Sequence, residues 1–255
     1  MQKIFLMVAC GLLTLGSFSV SGQTSALISE TIRTEMKTAL ETHSQIYKQN
    51  FKVEIDSKVI GDYLSKQMNG GSPISIKPRL CLYHKNGKSS MKVKLPDVPE
   101  AFRQPAEQKC NQMLTSSKLN ETLPKITHSF LQEGIKLLLD NPTIRLVKET
   151  PTALYLQADE IDKPFGNGLI IQTIQLSIDR DQHVVDVLKF KFQDKKFLAV
   201  KNTFVTLKAP GPAAKVCAPQ VNVVKQNLGL SAKGYTLPRI FSINFKNYKF
   251  QNSQI

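Results

Sequence analysis

The C-terminal half of the chain, from residue 143 onward, consists of short apolar segments separated by turn residues, and these segments limit the fold most. In one of them Leu188, Phe190 and Phe192 alternate with Lys189 and Lys191, the two-residue period of a strand with one buried face. The segments rich in Ile, Val, Leu, Phe and Tyr are 143–148, 153–158, 168–178, 183–192, 197–207 and 237–250. Their spacing leaves no room for helical crossovers, so we predict an antiparallel sheet in which sequential strands are neighbours.

The N-terminal half shows the three-to-four-residue apolar spacing of amphipathic helices. This spacing predicts helices over residues 25–50, 57–69, 101–116 and 124–139, and the alternation of residues 51–55 predicts a short strand between the first two. Asn86-Gly87 separates two strand-like segments, 74–84 and 88–95, and predicts a hairpin with a type I′ turn. The pattern of residues 221–230 leaves their structure open.

Together these patterns predict an α+β fold: a curved antiparallel β-meander, shaped like a half-open barrel, with the N-terminal helices packed on one face. The predicted division is a helix-rich part with one hairpin, residues 23–142, and a sheet part, residues 143–255, joined in one domain. Segments 169–171 and 197–200 are apolar on both faces. Such strands suit either a sheet packed on helices or a sheet that lines a hydrophobic cavity.

Residues 1–22 have the order of a secretory signal peptide: one cation at Lys3, an apolar run, and small residues up to Gly22. We predict cleavage next to Gly22, so that the mature chain begins near Gln23 and is periplasmic or secreted. The apolar run holds about a dozen residues, short of the roughly 18 that span a bilayer, which disfavours a retained membrane anchor. Acylation at Cys10 is disfavoured because this cysteine lies within the apolar run.

The formal net charge is +14 and the isoelectric point is about 9.6, with lysine supplying most of the excess. Such a surface favours anionic partners such as membranes, lipopolysaccharide or acidic polymers, although scattered lysines also serve solubility alone. Arginine, the better reader of base edges, is scarce, so sequence-specific nucleic-acid binding is not expected. Lysines on or beside neighbouring predicted strands are expected to share one basic face: Lys189, Lys191, Lys195, Lys196, Lys201, Lys246 and Lys249.

Removal of the signal peptide leaves three cysteines, Cys81, Cys110 and Cys217. In an oxidising compartment we predict a disulfide between Cys81 and Cys110, the pair closest in sequence. Cys217 is then a buried thiol, an alternative partner or a reactive group. The chain has no Cys-x-x-Cys, no histidine–cysteine cluster and no His-Glu-x-x-His, so neither a metal nor a cofactor is expected.

The sequence contains none of the common catalytic signatures, such as Gly-x-Ser-x-Gly, a phosphate-binding loop or a dinucleotide fingerprint. His183 has acidic neighbours, Asp179, Asp181 and Asp186, which exposed residues at a hairpin turn explain most simply. We therefore predict a non-enzymatic protein, with a hydrolase of scattered active-site residues as the remaining enzymatic hypothesis. Asn120 opens a glycosylation sequon that matters only in a eukaryotic secretory host.

Two C-terminal stretches carry a family resemblance. One runs from Ile178-Asp179 through a turn and a Val-x-x-Leu-x-Phe strand to Phe204, and the other, 235–250, reads Tyr-Thr-Leu-Pro-Arg-Ile-Phe-Ser-Ile-Asn-Phe-Lys-Asn-Tyr-Lys-Phe. They resemble the closing hairpins of outer-membrane lipoprotein-sorting proteins, the LolA/LolB-like family. The resemblance implies an unclosed β-barrel with helices as a lid over an apolar cavity that receives acyl chains in the periplasm. The N-terminal half departs from the family pattern, so no individual binding residue carries over.

Two functional hypotheses follow. The first is an exported, non-enzymatic envelope protein that binds a lipid-like or lipoprotein ligand in an apolar cavity between the helices and the curved sheet. The alternative is a structural or interaction module that docks through its lysine-rich face on an anionic envelope component or a protein partner. A large apolar cavity favours the first hypothesis, and a filled core with an exposed basic sheet face favours the second.

Overall fold

The computed structural model describes residues 28–69, 78–116, 130–166, 168–211, 215–229, 231–232 and 235–251. The predicted signal peptide, its cleavage site, Cys10 and Asn120 lie outside the described residues. Within these ranges the chain forms one curved antiparallel sheet accompanied by four helices. The α+β layout predicted from the sequence is thereby confirmed. None of the helices in the described ranges is long and apolar enough to span a membrane.

The helices overlap the ranges that the apolar spacing predicts. Their bounds are α1 Glu30–Ser44, continued by a 3-10 turn Gln45–Lys48, α2 Lys58–Asn69, α3 Glu100–Ser116 and α4 Phe130–Leu139. Ser29 caps α1, because its hydroxyl oxygen accepts the backbone N–H of Ile32 at 3.3 Å. Residues on one side of α1, Met36, Ala39 and His43 among them, are buried at the spacing of a helix face.

Thirteen strands lie in the described ranges. Their bounds are β1 Phe51–Asp56, β2 Arg79–Lys85, β3 Lys88–Lys94, β4 Arg145–Glu149, β5 Ala153–Ala158, β6 Lys163–Gly166, β7 Leu169–Asp179, β8 Val184–Phe192, β9 Phe197–Leu207, β10 Val216–Gln226, β11 Ser231–Ala232, β12 Tyr235–Thr236 and β13 Ile240–Phe250. Eleven strands form one sheet in the order β3-β2-β1-β13-β10-β9-β8-β7-β5-β4, with β6 paired to β7, while β11 and β12 form a separate pair.

The strand order confirms the predicted meander from β4 to β10 and adds a connection that the sequence did not reveal. Strand β13 pairs antiparallel with both β1 and β10, so the last strand joins the N-terminal strands to the C-terminal ones in a single sheet. The Asn86-Gly87 hairpin between β2 and β3 is formed as predicted, with positive φ angles of 50° at Asn86 and 73° at Gly87.

The first buried cluster lies between α1, α4 and the strands from β5 to β10. On β8, Leu188 and Phe190 are almost fully buried and face the helices. Gly134 of α4 allows this helix to approach closely, since a Cβ atom at that position would lie 2.9 Å from both Cδ atoms of Leu188. We call this helix-covered side of the sheet the inner face and the opposite side the outer face.

The second buried cluster lies between β1, β2, β3 and β13 and the helices α2 and α3. Val53, Leu82 and Val93 from the strands meet Leu64 of α2 and Leu114 of α3 in this cluster. All five side chains are at most 2% exposed. The N-terminal strands therefore have their own helical cover beside that of the meander.

The structure does not contain the predicted Cys81–Cys110 disulfide, because none of Cys81, Cys110 and Cys217 is joined to another cysteine. Cys110 of α3 belongs to the second cluster, together with Leu80 and Leu82 of β2. Cys81 lies between these two leucines, and strand alternation turns it toward the other face of the sheet. The structure therefore lends this pairing no support, since the β2 residues that share the cluster of Cys110 lie on the face opposite Cys81.

An ion-pair network fastens α1 to the edge of the meander. The Arg180 guanidinium donates from Nε and Nη2 to the two carboxylate oxygens of Glu35, each at 2.9 Å. Nη2 also donates to Glu149 at 2.6 Å, and Nη1 donates to the Thr150 carbonyl at 3.0 Å. Charge-assisted, bidentate bonds of this kind are among the stronger ones in proteins, so α1 is held at this point by more than apolar packing.

Candidate functional site

The outer face carries lysines on the central strands of the sheet. On β8, Lys189 and Lys191 alternate with Leu188, Phe190 and Phe192, whose side chains are buried against the helices. Because successive side chains of a strand point to opposite faces, both lysines project from the outer face. The sequence prediction of this alternation agrees with the structure.

Strand pairing brings four lysines of the outer face together, and we call Lys189, Lys191, Lys201 and Lys225 the lysine cluster. Lys225 of β10 pairs with Ala199 of β9, which in turn pairs with Lys189. Lys189 and Lys225 therefore lie on either side of Ala199, and their positions are about two strand spacings, or about 10 Å, apart. Lys191 lies two residues from Lys189, and Lys201 lies two residues from Ala199, each on the same face at about 7 Å along the strand.

The lysine cluster concentrates positive charge that its surroundings do not neutralise. Among the described residues, none of its four members forms an ion pair. Burial and, next to it, the charges of Lys191 and Lys225 lower the pKa of Lys189. Asp186 interacts electrostatically with Lys201 of the cluster. Burial raises the pKa of Asp186, and the charge of Lys201 partly offsets this rise. An anion placed over the cluster would relieve the repulsion among these cations.

Two further predicted lysines lie at the end of this face. In the tight turn between β8 and β9, which also contains Asp194, Lys195 is exposed and Lys196 is half-buried. The backbone of the turn is held by Asn227, whose side-chain amide donates to the Lys195 carbonyl at 3.1 Å. The structure thus places five of the seven predicted lysines on the central outer face or in the turn that borders it.

Lys246 and Lys249, the other two predicted lysines, lie on β13 and are separated from β9 by β10. Lys246 forms an ion pair with Asp56 of β1 at 2.6 Å, so its charge is largely compensated. Lys249 pairs in register with Lys52 of β1 and belongs to a different basic region. The seven lysines therefore do not form a single surface.

That other region borders a cleft of about 350 Å³ beside β1, β2 and α3. The charged residues that line it are Lys52, Arg79, Lys94, Arg103, Glu54 and Glu107. Lys94 is paired with Glu107 at 2.9 Å, and Glu54 accepts a hydrogen bond from Asn247 at 2.9 Å. Carboxylates thus offset part of the positive charge here, so the lysine cluster is the stronger candidate for an anionic partner.

A pocket of about 370 Å³ adjoins the lysine cluster where β9 begins and β10 ends. Phe197 and Ile240 supply apolar surface, and Lys225 and Arg239 supply positive charge, with Asn227 between them. Lys225 and Arg239 are absent from the predicted set, because the pattern of residues 221–230 leaves their structure open and the set contains lysines alone. The alternation of Val221 and Val223 with polar Asn222 was the available signal, but a proline and a bulge precede it.

The inner face carries the first buried cluster. Side chains of α1, α4 and the sheet, including Met36, Ile135 and Leu188, belong to it. At Gly134, α4 lies so close to the sheet that a Cβ atom would come within 2.9 Å of Leu188. In the described ranges this packed contact between helix and sheet accompanies a basic outer face.

His183, the histidine with acidic neighbours, is exposed in the turn between β7 and β8 and has a positive φ of 52°. In the same turn, Asp179 accepts the backbone N–H of Gln182 at 2.9 Å, which is a turn-stabilising bond. In the described part of the chain no three His, Cys, Asp or Glu side chains are grouped to hold a metal ion.

Comparisons with known proteins give structural likenesses only, since no family model matches the chain and no curated protein has a similar sequence. A DUF1329 family protein from Desulfovibrio piger has a TM-score of 0.37 and 10% identity, over 89% of this chain and 96% of that chain. A LolA superfamily protein from Nitrosomonas europaea has a TM-score of 0.35 and 9% identity, over 90% and 95%. A putative outer membrane lipoprotein-sorting protein domain from Vibrio parahaemolyticus has a TM-score of 0.31 and 8% identity, over 86% and 95%.

Two of these three names belong to the family that the C-terminal stretches resemble. At TM-scores below 0.5 the likeness carries no argument about function, which has to come from the residues of the outer face.

Proposed function

We propose that this protein is an exported, non-enzymatic protein that docks on anionic surfaces of the cell envelope through the outer face of its sheet. The observation that carries the proposal is the lysine cluster, four cations on the outer face of the three consecutive strands β8, β9 and β10 without an ion-pair partner among the described residues. Export rests on the signal peptide expected in residues 1–22, and a membrane or an acidic envelope polymer is the anionic surface that an exported protein meets.

Elementary electrostatics gives the expected strength. Each cation near an anionic membrane surface contributes about 1 kcal/mol, and salt screens the attraction over a Debye length of roughly 10 Å at 0.1 M ionic strength. Four clustered lysines therefore suffice for reversible, salt-sensitive docking. Two lysines of the helices differ from the cluster because they form ion pairs. Lys37 lies 3.8 Å from the Glu30 carboxylate, and Lys58 lies 2.7 Å from the Asp62 carboxylate.

The second candidate function is the binding of a lipid-like or acylated ligand between the helices and the sheet. The observation that favours it is the large apolar first cluster, in which α1 and α4 meet a curved sheet. Because α4 contacts Leu188 and Phe190 directly, a ligand between them requires this helix to move away. Native mass spectrometry of protein purified from its own host tests this candidate, since a retained lipid adds its own mass.

Vesicle co-sedimentation tests the leading proposal with a pair of matched variants. In the first, Lys189→Gln, Lys191→Gln and Lys201→Gln remove three charges from the lysine cluster. In the second, Lys37→Gln, Lys58→Gln and Lys136→Gln remove three exposed charges from the helices: Lys37 from α1, Lys58 from α2 and Lys136 from α4. Both variants lose the same net charge, so only the location of the charge differs.

The proposal expects wild-type protein to sediment with vesicles that contain phosphatidylglycerol, to ignore phosphatidylcholine vesicles, and to dissociate in high salt. The cluster variant should lose most of the binding, and the helix variant should keep it. Equal loss in the two variants, equal binding to neutral vesicles, or binding that high salt leaves unchanged would contradict docking through this face.

A further inference from the structure

We propose that the pocket at the start of β9 is a site for a single anionic lipid, whose charged head group lies among Lys225, Arg239 and Lys189 while Phe197 and Ile240 contact its apolar part. This inference rests on the proposed function and names the place on the outer face where the membrane is engaged. It predicts a defined point of insertion instead of an evenly spread electrostatic contact.

Strand register places the members of this pocket side by side. Ile240 at the start of β13 pairs with Lys225, which pairs with Ala199. Phe197 lies two residues before Ala199 on β9 and therefore projects from the same face. The Lys189 ammonium lies 5.8 Å from the centroid of the Phe197 ring. Apolar and cationic groups thus share one small area.

Hydrogen bonds hold the walls of the pocket in place before any ligand arrives. The Phe197 N–H donates to the Asn227 side-chain oxygen at 2.5 Å, and the Asn227 N–H donates to the Phe197 carbonyl at 3.2 Å. Gln226, which is 2% exposed, donates from its backbone to the Arg239 carbonyl at 2.8 Å and from its side chain to the Pro238 carbonyl at 3.1 Å. A site held in this way loses little entropy when it binds.

Ile240 is one of the few large apolar side chains in the described structure that are strongly exposed. Its exposed fraction is 58%, and the other large apolar residue of this kind is Phe102 of α3, at 70%. The surroundings of Ile240 include Lys225 and Arg239, which lie in the same pocket. Isolated exposed side chains are ordinary, but an exposed apolar side chain beside a pocket ringed by cations matches an amphiphile.

Charge and apolar surface together select the occupant. Lys225 and Arg239 of the pocket, with Lys189 beside Phe197, complement a phosphate group, while Asp194 is exposed in the neighbouring turn. A free phosphate ion would use the cations but not the apolar side chains. A neutral lipid would use the apolar side chains but not the cations. An anionic lipid uses both.

Tryptophan fluorescence tests the inference, because the chain contains no tryptophan. The Ile240→Trp variant places a single reporter at the pocket, and Phe102→Trp places a matched reporter at the other strongly exposed apolar position. The probes are vesicles of phosphatidylglycerol mixed with phosphatidylcholine, vesicles of phosphatidylcholine alone, and inorganic phosphate. Brominated acyl chains in the vesicles report contact with the apolar part of the bilayer.

We expect a blue shift and bromine quenching for Ile240→Trp with the anionic vesicles, and no change for Phe102→Trp or with phosphate alone. Removing the two pocket cations, Lys225→Gln with Arg239→Gln, should weaken vesicle binding roughly tenfold or more, as each cation near an anionic surface is worth about fivefold. The charge-matched pair Lys85→Gln with Lys88→Gln, at the exposed hairpin, should weaken it far less.

The possible failures are distinguishable. Vesicle binding with no response from Ile240→Trp, or equal responses from the two reporters, overturns the pocket and leaves docking through the outer face in place. A response to phosphatidylcholine alone as large as that to anionic vesicles overturns the role of the head group. If wild-type protein binds no vesicle at all, the pocket and the proposed function fail together.

Discussion

Helix α4 approaches the sheet closely at Gly134, and substituting this residue tests the packing of the helix on the sheet directly. A Cβ atom at position 134 would lie 2.9 Å from both Cδ atoms of Leu188 and 3.3 Å from Cζ of Phe190. Leu188 is fully buried, so its side chain has little room to move away. We therefore expect Gly134→Ala to strain the packing of α4 on β8.

The magnitude follows from two opposing effects. Alanine stabilises a helix interior by about 1 kcal/mol relative to glycine, and overpacking a close-packed core costs about 1–3 kcal/mol. Gly134→Ala should therefore change the free energy of unfolding by between zero and a loss of about 2 kcal/mol. Gly61→Ala in α2 is the control, because nothing lies within 4 Å of a Cβ atom there, and it should stabilise by about 1 kcal/mol.

Urea unfolding followed by circular dichroism measures both variants against the wild-type protein. The reasoning predicts that Gly134→Ala is less stable than Gly61→Ala by about 1–3 kcal/mol. If the two substitutions stabilise the protein equally, α4 is not seated on Leu188 as described. The apolar space between helix and sheet would then be loose enough for the ligand of the second candidate function.

Three further predictions concern other parts of the fold. Arg180→Met should lower the free energy of unfolding by roughly 1–3 kcal/mol in urea denaturation, since Glu35 is left without its partner, and a change below about 0.5 kcal/mol would mean that the network contributes little. Burial raises the pKa of Cys110 and of Cys217 to about 11, so both thiols should alkylate slowly at pH 8, and mass spectrometry showing rapid labelling would contradict their burial. Burial lowers the pKa of Lys189, and the charges of Lys191 and Lys225 lower it further, so stability should rise with pH through the folded-state pKa. Lys189→Met should remove this rise and stabilise the protein at neutral pH by about 0.5 kcal/mol, and an unchanged pH profile would refute the lowered pKa of this lysine.

Local patterns predicted the elements of this fold well because each depends on neighbouring residues. The strand expected at 51–55 is Phe51–Asp56, and the hairpin turn lies at Asn86-Gly87, where two positive φ angles are needed. The alternation of β8 correctly separated the lysines of the outer face from the buried aromatic residues. These features follow from side-chain period and turn chemistry over a few residues.

Features that depend on distant pairing were not predictable in this way. Strand β13 lies between β1 and β10 because the two ends of the chain pair with each other. Lys246 therefore forms an ion pair with Asp56, which lies almost 200 residues earlier, and does not belong to the basic face with the other lysines. Strand β10 escaped notice because Pro219 and the register shift between Pro219 and Val221 interrupt its alternation. Lys225, the lysine missing from the predicted set, was lost with that strand.

The thiols show the same limit. Cys81 and Cys110 are neighbours in sequence among the cysteines, but a strand turns successive side chains to opposite faces, and Cys110 belongs to the same buried cluster as the residues on either side of Cys81. Only the packing of α3 against the sheet decides which face a helical cysteine meets. Such packing is set by the whole second cluster and leaves no mark on cysteine spacing.

Lysine footprinting of the unmodified wild-type protein tests the central claim most directly. The protein is acetylated with and without phosphatidylglycerol vesicles, and mass spectrometry reports the modification of each lysine. Docking through the outer face predicts that Lys191 and Lys201 are protected by the vesicles while the exposed Lys37 and Lys58 of the helices react as before. Protection of the helical lysines with continued reaction of Lys191 and Lys201 would contradict the account.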